Sequence, residues 1–277
     1  MVVVLALLAA VVYGTSDFVG GLASRQRPAI AVLLYEYPVG AVLVLALLPA
    51  FYGPLDLRSA LLGAGGGIAG MVGIIVLYSL MARAPMNIVS PVTAVLAAIV
   101  PVGFGVLVGE RPHLAAWFGI ALGLAAVVLV SRTPQDHPHG PIGLPILALA
   151  CLSGLGFGVY FICLARADHD SGLWPLVISR LTSAALIVPL AWHRRVAQVL
   201  TGPVLRLALL AGVLDASANL FFLLASRHGL LSLASVITSL YPAMTVLLAA
   251  VLLHERTGPW QRVGLALAAG SIVLITY

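Results

Sequence analysis

The stretch from Ser90 to Leu129 is written twice in this chain. Shifted by 145 positions it reappears, with Ser90/Ser235, Thr93/Thr238, Glu110/Glu255, Arg111/Arg256, Gly119/Gly264 and Leu129/Leu274 identical. Both copies read as an apolar helix, a Glu-Arg turn and a second apolar helix. The offset slightly exceeds half of the 277 residues, so the chain reads as one half-length unit duplicated and fused. In a membrane chain, duplicated halves point first to a transporter.

Composition decides that the chain is a membrane chain. Hydrophobic residues make up 62%, charged residues 8%, and the mean hydropathy is +1.14, which leaves too little polar surface for a soluble globule of this size. Runs such as Ala60 to Met81 and Leu114 to Val130 carry little or no charge and approach or exceed what crosses a hydrocarbon core about 30 Å thick. All 14 basic residues are arginine, scattered through short loops rather than gathered into the patch that grips nucleic acid. Cys151 and Cys163 fall in one apolar run and read as buried small thiols, not as a disulfide or a metal site. Met1-Val2-Val3-Val4 lacks the positive start of a signal peptide, so the first apolar run is expected to remain as a helix.

Proline, glycine and charge divide the chain into ten expected helices, at roughly 2–22, 28–50, 59–81, 86–108, 113–131, 142–165, 172–192, 204–225, 230–252 and 259–277. The expected class is an all-α integral membrane protein. It has a first five-helix repeat over 1–131, a polar linker over 132–141 and a second five-helix repeat over 142–277. An odd number of crossings per repeat makes the second half enter the membrane in the opposite sense. That is an inverted repeat, expected to give two related bundles with a site between them near the midplane.

Chemistry must then lie in the few polar groups at membrane depth. A charge near the bilayer centre costs about 3 kcal/mol even on insertion scales, so each requires a partner or a wet cavity. Asp17 follows Gly14, Thr15 and Ser16, Glu36 stands between Tyr35 and Tyr37, Arg180 lies in the seventh helix, and Asp215 lies in the eighth with Asn219 after it. Three acids facing one base favour a cationic or zwitterionic substrate, or a proton carried on one acid. The bland alternatives are a static Glu36–Arg180 pair, an Asp17 at a helix end touching interfacial water, and an Asp215 bonded to a neighbouring helix. Tyr13, Tyr78, Tyr160 and Tyr241 fall inside apolar runs, where each phenol needs a partner. Tyr241 precedes Pro242, whose missing N–H frees a backbone carbonyl. Ser90 and Thr93, with Ser235, Thr238 and Ser239, make matching polar stripes on the fourth and ninth helices.

The remaining features read as architecture. Gly66 with Gly70, and Gly119 with Gly123, have the spacing that lets membrane helices approach closely, inside a monomer before a dimer. Gly154, Gly156 and Gly158 follow no strand and read as a thin helix wall beside the cavity rather than a phosphate loop. Glu110-Arg111 and Glu255-Arg256 read as helix-turn devices, and Trp117, Trp174, Trp192 and Trp260 as an interfacial aromatic belt.

Two five-helix halves, each with a Glu-Arg turn ahead of a glycine-containing last helix, together with Pro242 upstream of Glu255 and the intramembrane Arg180, resemble the EamA-type members of the drug/metabolite transporter superfamily. The first half departs from that pattern, with Ala97 where the repeat would place proline and Glu36 near where arginine is expected. The resemblance implies a secondary transporter in the cell (inner) membrane with both termini inside. Counting arginines by side favours both termini outside. No phosphate-binding motif for ATP is present.

The expectation is therefore a transporter, not an enzyme, and one without a cofactor or metal. It would move an amino acid or related zwitterion, in the export direction, by alternating access. Protons are a candidate coupling ion, membrane lipid the surroundings, and the monomer the expected state. The alternatives are a multidrug or cation exporter and a membrane-embedded enzyme acting on a lipid headgroup.

Overall fold

The computed structural model describes residues 1–82, 86–130, 144–196, 199–252 and 258–276. Eleven α-helices are present among them: α1 (Val2–Ser24), α2 (Ala29–Leu47), α3 (Leu57–Met81), α4 (Met86–Leu107), α5 (Leu114–Val130), α6 (Leu144–Arg166), α7 (Trp174–His193), α8 (Gly202–Arg227), α9 (Leu231–Thr238), α10 (Tyr241–Leu252) and α11 (Pro259–Thr276). Six segments are long and apolar enough to cross a membrane: α1, α2 with the 3-10 turn that follows it, α3, α6, α7 and α8. Large apolar side chains such as Val42, Leu61, Phe118 and Val188 remain on the outer surface, as expected where lipid replaces water. The expected linker over 132–141 and the second Glu-Arg turn at Glu255 lie outside the described residues.

The expected ninth helix, 230–252, is not continuous. It ends at Thr238 and restarts at Tyr241. Pro242 supplies the reason: it has no N–H to donate, and its ring would meet the carbonyl of the residue four before it, Thr238. Two tighter backbone bonds bridge the gap, Leu240 N–H to Ile237 O at 3.1 Å and Ala243 N–H to Leu240 O at 2.9 Å.

The two halves do not form separate bundles. The main packing partners run between them: α1 on α8 and α3 on α6, α2 on α8 and α3 on α7, α2 on α7, and α5 on α11. Each of these pairings is matched by another, or by itself, when the halves are exchanged, which is the packing signature of a pseudo-twofold axis. Glycine makes the crossings close. A Cβ on Gly67 would sit 2.5 Å from Ser179 O, and one on Gly212 would sit 2.5 Å from Glu36 O. Gly67 and Gly212 are related by the repeat shift of 145, so Glu36 and Ser179 are structural counterparts. Gly119 and Gly123 likewise pack inside the chain, against Ser271 and Ile275 of α11. Gly154 and Gly158 lie against Thr93, Leu96 and Val100 of α4, and Gly156 against α3. That corrects the expected cavity wall: these glycines are contact points between helices.

At the face where the chain begins, turns from opposite halves interlock. Trp174 Nε1 donates to Gly53 O at 3.0 Å and the Asp168 amide donates to Ser59 Oγ at 2.9 Å, while Arg227 Nη2 donates within its own half to Gly172 O at 2.6 Å. Gly172 has φ +57°, a conformation that favours glycine, and a Cβ on it would collide with Phe51 O. Trp174 thus clasps two loops together. Glu110 reaches 121 residues ahead, its carboxylate accepting from the Leu231 and Ser232 amides at 2.7 and 3.0 Å. It caps α9, a helix of the other half, at the donor-rich end where a negative group is stabilised.

Candidate functional site

Midway along the helices, α1, α2, α3, α4, α6, α7, α8 and α10 leave a small cavity of about 50 Å³. Its charged wall is Asp17, Glu36, Arg180 and Asp215, and its polar wall includes Tyr13, Tyr37, Tyr160, Asn219 and Tyr241. Met71, Ile74, Phe157 and Phe161 supply apolar surface.

Asp17 is 7% exposed and lies well inside α1, which continues to Ser24, so it is not at a helix end. Arg180 is 3% exposed and forms an ion pair with Asp215, through Nη2 and Oδ2. The partner of Arg180 is therefore not Glu36, as the alternative of a static pair had it, but Asp215, in a pair between α7 and α8. The pairing satisfies two charges at once, whereas Arg180 Nε keeps no hydrogen-bond partner. Glu36 is 0% exposed, and neither of its carboxylate oxygens has a partner.

A short relay fixes the far wall. Tyr13 Oη donates to Asn219 Oδ1 at 2.6 Å, and Asn219 Nδ2 donates to the Asp215 carbonyl at 2.6 Å. The bond back to Asp215 orients the Asn219 amide and so decides which of its atoms accepts from Tyr13. Tyr241 comes into the wall because the broken helix turns there. Its carbonyl crowds Gly14, where a Cβ would lie only 2.4 Å away, and Thr245 Oγ1 donates to Gly14 O at 3.1 Å.

Of the residues singled out in sequence, Asp17, Glu36, Arg180, Asp215, Asn219, Tyr13, Tyr160 and Tyr241 meet in this cavity. Tyr78 is buried beside Gly20, which has no side chain to obstruct its phenol. Thr93 donates to the Ala150 carbonyl at 3.3 Å across the α4–α6 crossing. Thr238 is fully buried at the end of α9, its hydroxyl unpartnered. Ser90 lies in α4, but its side chain is outside the described residues. Ser179, Ser183, Phe157 and Phe161 join the wall without having been singled out. Ser183 had a faint signal in its spacing from Arg180, and its hydroxyl donates to Gly67 O at 2.9 Å.

The family match rests on both halves separately. Residues 1–132 and 144–277 each match the model of the EamA-like transporter family. The chain belongs to that family. EamA-like proteins are membrane transporters, and this chain is accordingly a multi-pass membrane protein of the transporter class. Of the solved structures, 28 chains match; one crystal structure aligns with a TM-score of 0.76 over 99% of this chain and 96% of its own, at 19% identity. That likeness shows a shared fold over nearly the whole length of the chain. Comparison with curated proteins finds no match.

Proposed function

We propose that this protein is a secondary transporter of the cell (inner) membrane, which exports a small metabolite bearing both an amino and an acidic group, such as an amino acid. Each half contributes five crossings, with α9 and α10 forming one broken crossing. The observation that carries this reading is the composition of the buried wall. Asp17 and Glu36 offer carboxyl groups for a substrate ammonium, and Arg180, held by Asp215, keeps an unpartnered Nε–H for a substrate carboxylate.

The packing supports a way to alternate access. Helices α3, α4 and α6 cluster together, as do α1, α8, α9 and α10, with α2 and α7 between them. Each cluster mixes both halves and is the other's counterpart, so a tilt of one against the other would open either face in turn. Opening the face where the chain begins would require the clasp between residues 53 and 174 and the Glu110 cap to yield.

A second reading, export of organic cations, is favoured by the surplus of acids and by the aromatic wall of Tyr13, Tyr37, Tyr160 and Phe161. Uptake of labelled amino acids into proteoliposomes, compared with protein-free vesicles, tests the first reading. Movement of at least one zwitterionic amino acid supports it. Movement only of amines lacking a carboxylate replaces it with the second.

A further inference from the structure

We infer that Glu36 is the site at which the transporter binds its coupling proton, in exchange for the ammonium group of its cargo. The inference rests on the transporter reading above and adds the identity of the counter-ion and the group that holds it.

The argument begins with burial. Glu36 is inaccessible, and both its oxygens lack a hydrogen-bond partner. Arg180, the one cation in the cavity wall among the described residues, is already engaged by Asp215. A carboxylate left unpaired in such a place would bear the full cost of desolvation, whereas a carboxylic acid is neutral. The groups facing Glu36 from the packed elements are Asp17 on α1, Asp215 on α8, Arg180 on α7 and Tyr78 on α3, with Tyr37 on its own helix. The Tyr78 phenol lies close enough to interact with the carboxyl group, outside regular hydrogen-bond geometry. Two of these neighbours are acids.

The other acids are placed differently. Asp215 has its counter-charge in Arg180, and Asp17 is less deeply enclosed than Glu36. Gly212 holds the Glu36 backbone against α8, so the carboxyl group is carried on a crossing between the two halves. When the cavity opens to one side, water reaches the group, its O–H bond breaks and the proton leaves to that water. The resulting carboxylate then takes up either a proton or a substrate ammonium. One carboxylate cannot hold both, so each substrate carried one way returns a proton the other way.

Infrared spectroscopy of the purified protein in lipid, grown with isotopically labelled glutamate, reads the proton directly. A carbonyl band of a protonated carboxylic acid is expected at neutral pH, shifted by the label and absent in Glu36→Gln. Absence of that band from the wild type, or its persistence in the variant, overturns the inference. In proteoliposomes with an acidic interior, a labelled amino-acid mixture is expected to accumulate several-fold over the level reached without a gradient. Glu36→Gln is expected to transport more slowly, with a ratio near one, and Glu36→Asp to recover part of the gradient response. A Glu36→Gln protein that still follows the gradient overturns the inference. If the wild type moves no amino acid, the substrate reading fails, and the infrared band still decides the fate of Glu36.

Discussion

Arg180 and Tyr37 are counterparts in the two halves and face one another, with the guanidinium carbon 6.0 Å from the centre of the phenol ring. The equivalence follows from packing: Gly40 and Ser183 meet the paired sites Gly212 and Gly67, which sets a shift of 143 between α2 and α7. By the same matching the partner of Arg180, Asp215, corresponds to Gly70. An axis that relates the backbones therefore runs through a site whose ion pair belongs wholly to the second half.

Tyr37 holds the guanidinium through the face of its ring. Tyr37→Phe is expected to leave stability unchanged within about 0.5 kcal/mol, whereas Tyr37→Leu is expected to lose about 1 kcal/mol or more. Thermal unfolding of the detergent-solubilised variants measures the difference.

Breaking the Arg180–Asp215 pair from one side leaves a buried charge alone. Asp215→Asn is expected to destabilise the protein by about 3 kcal/mol, and the double change Arg180→Met with Asp215→Leu to recover most of that loss. The comparison separates a charge needed for folding from one needed for transport.

At the helix crossings the expected cost is steric. Gly67→Ala and Gly212→Ala each set a methyl group against a backbone carbonyl and are expected to cost about 1–3 kcal/mol. Gly65 meets nothing within 4 Å, and Gly65→Ala is expected to be neutral or slightly stabilising. Equal losses at all three positions would contradict the crossing geometry.

Asp56 gives a pH dependence with a definite sign. It caps α3, and the hydroxyl and amide of Ser59 hold its carboxyl below the ordinary carboxylate value. A depressed folded-state value means that this stabilisation is present above the unfolded value of about 3.9 and disappears as pH falls through the lower folded value. Unfolding temperatures recorded from neutral to strongly acidic pH are expected to show that component in the wild type and not in Asp56→Asn.

The helices were legible in the sequence because lipid demands long apolar runs bounded by charge and proline, and α1, α3 and α8 lie close to where hydropathy sets them. The break between Thr238 and Tyr241 was less so: hydropathy is continuous across it, and only Pro242 marks it. The cavity's charged members were legible because a charge inside an apolar run demands an explanation. The partner of Arg180 was not. Glu36 and Arg180 stand at similar depths in corresponding helices, but the shift between α2 and α7 differs from the shift between α4 and α9. At the α2–α7 shift of 143 the counterpart of Glu36 is Ser179, and the α4–α9 shift of 145 would give Leu181; neither gives Arg180. Phe157 and Phe161 join the wall without a signal, since an aromatic residue in an apolar helix looks the same whether it faces lipid, core or cavity.

The central claim is that substrate passes through the cavity built around Arg180. It is tested most directly by transport of labelled amino acids in proteoliposomes containing wild-type protein, Arg180→Ala or Arg180→Lys, each verified as folded by its unfolding temperature. The account predicts uptake by the wild type, loss of at least tenfold in Arg180→Ala, corresponding to about 1.4 kcal/mol or more, and incomplete recovery in Arg180→Lys, which lacks the planar fork. Wild-type rates in a folded Arg180→Ala protein would contradict it.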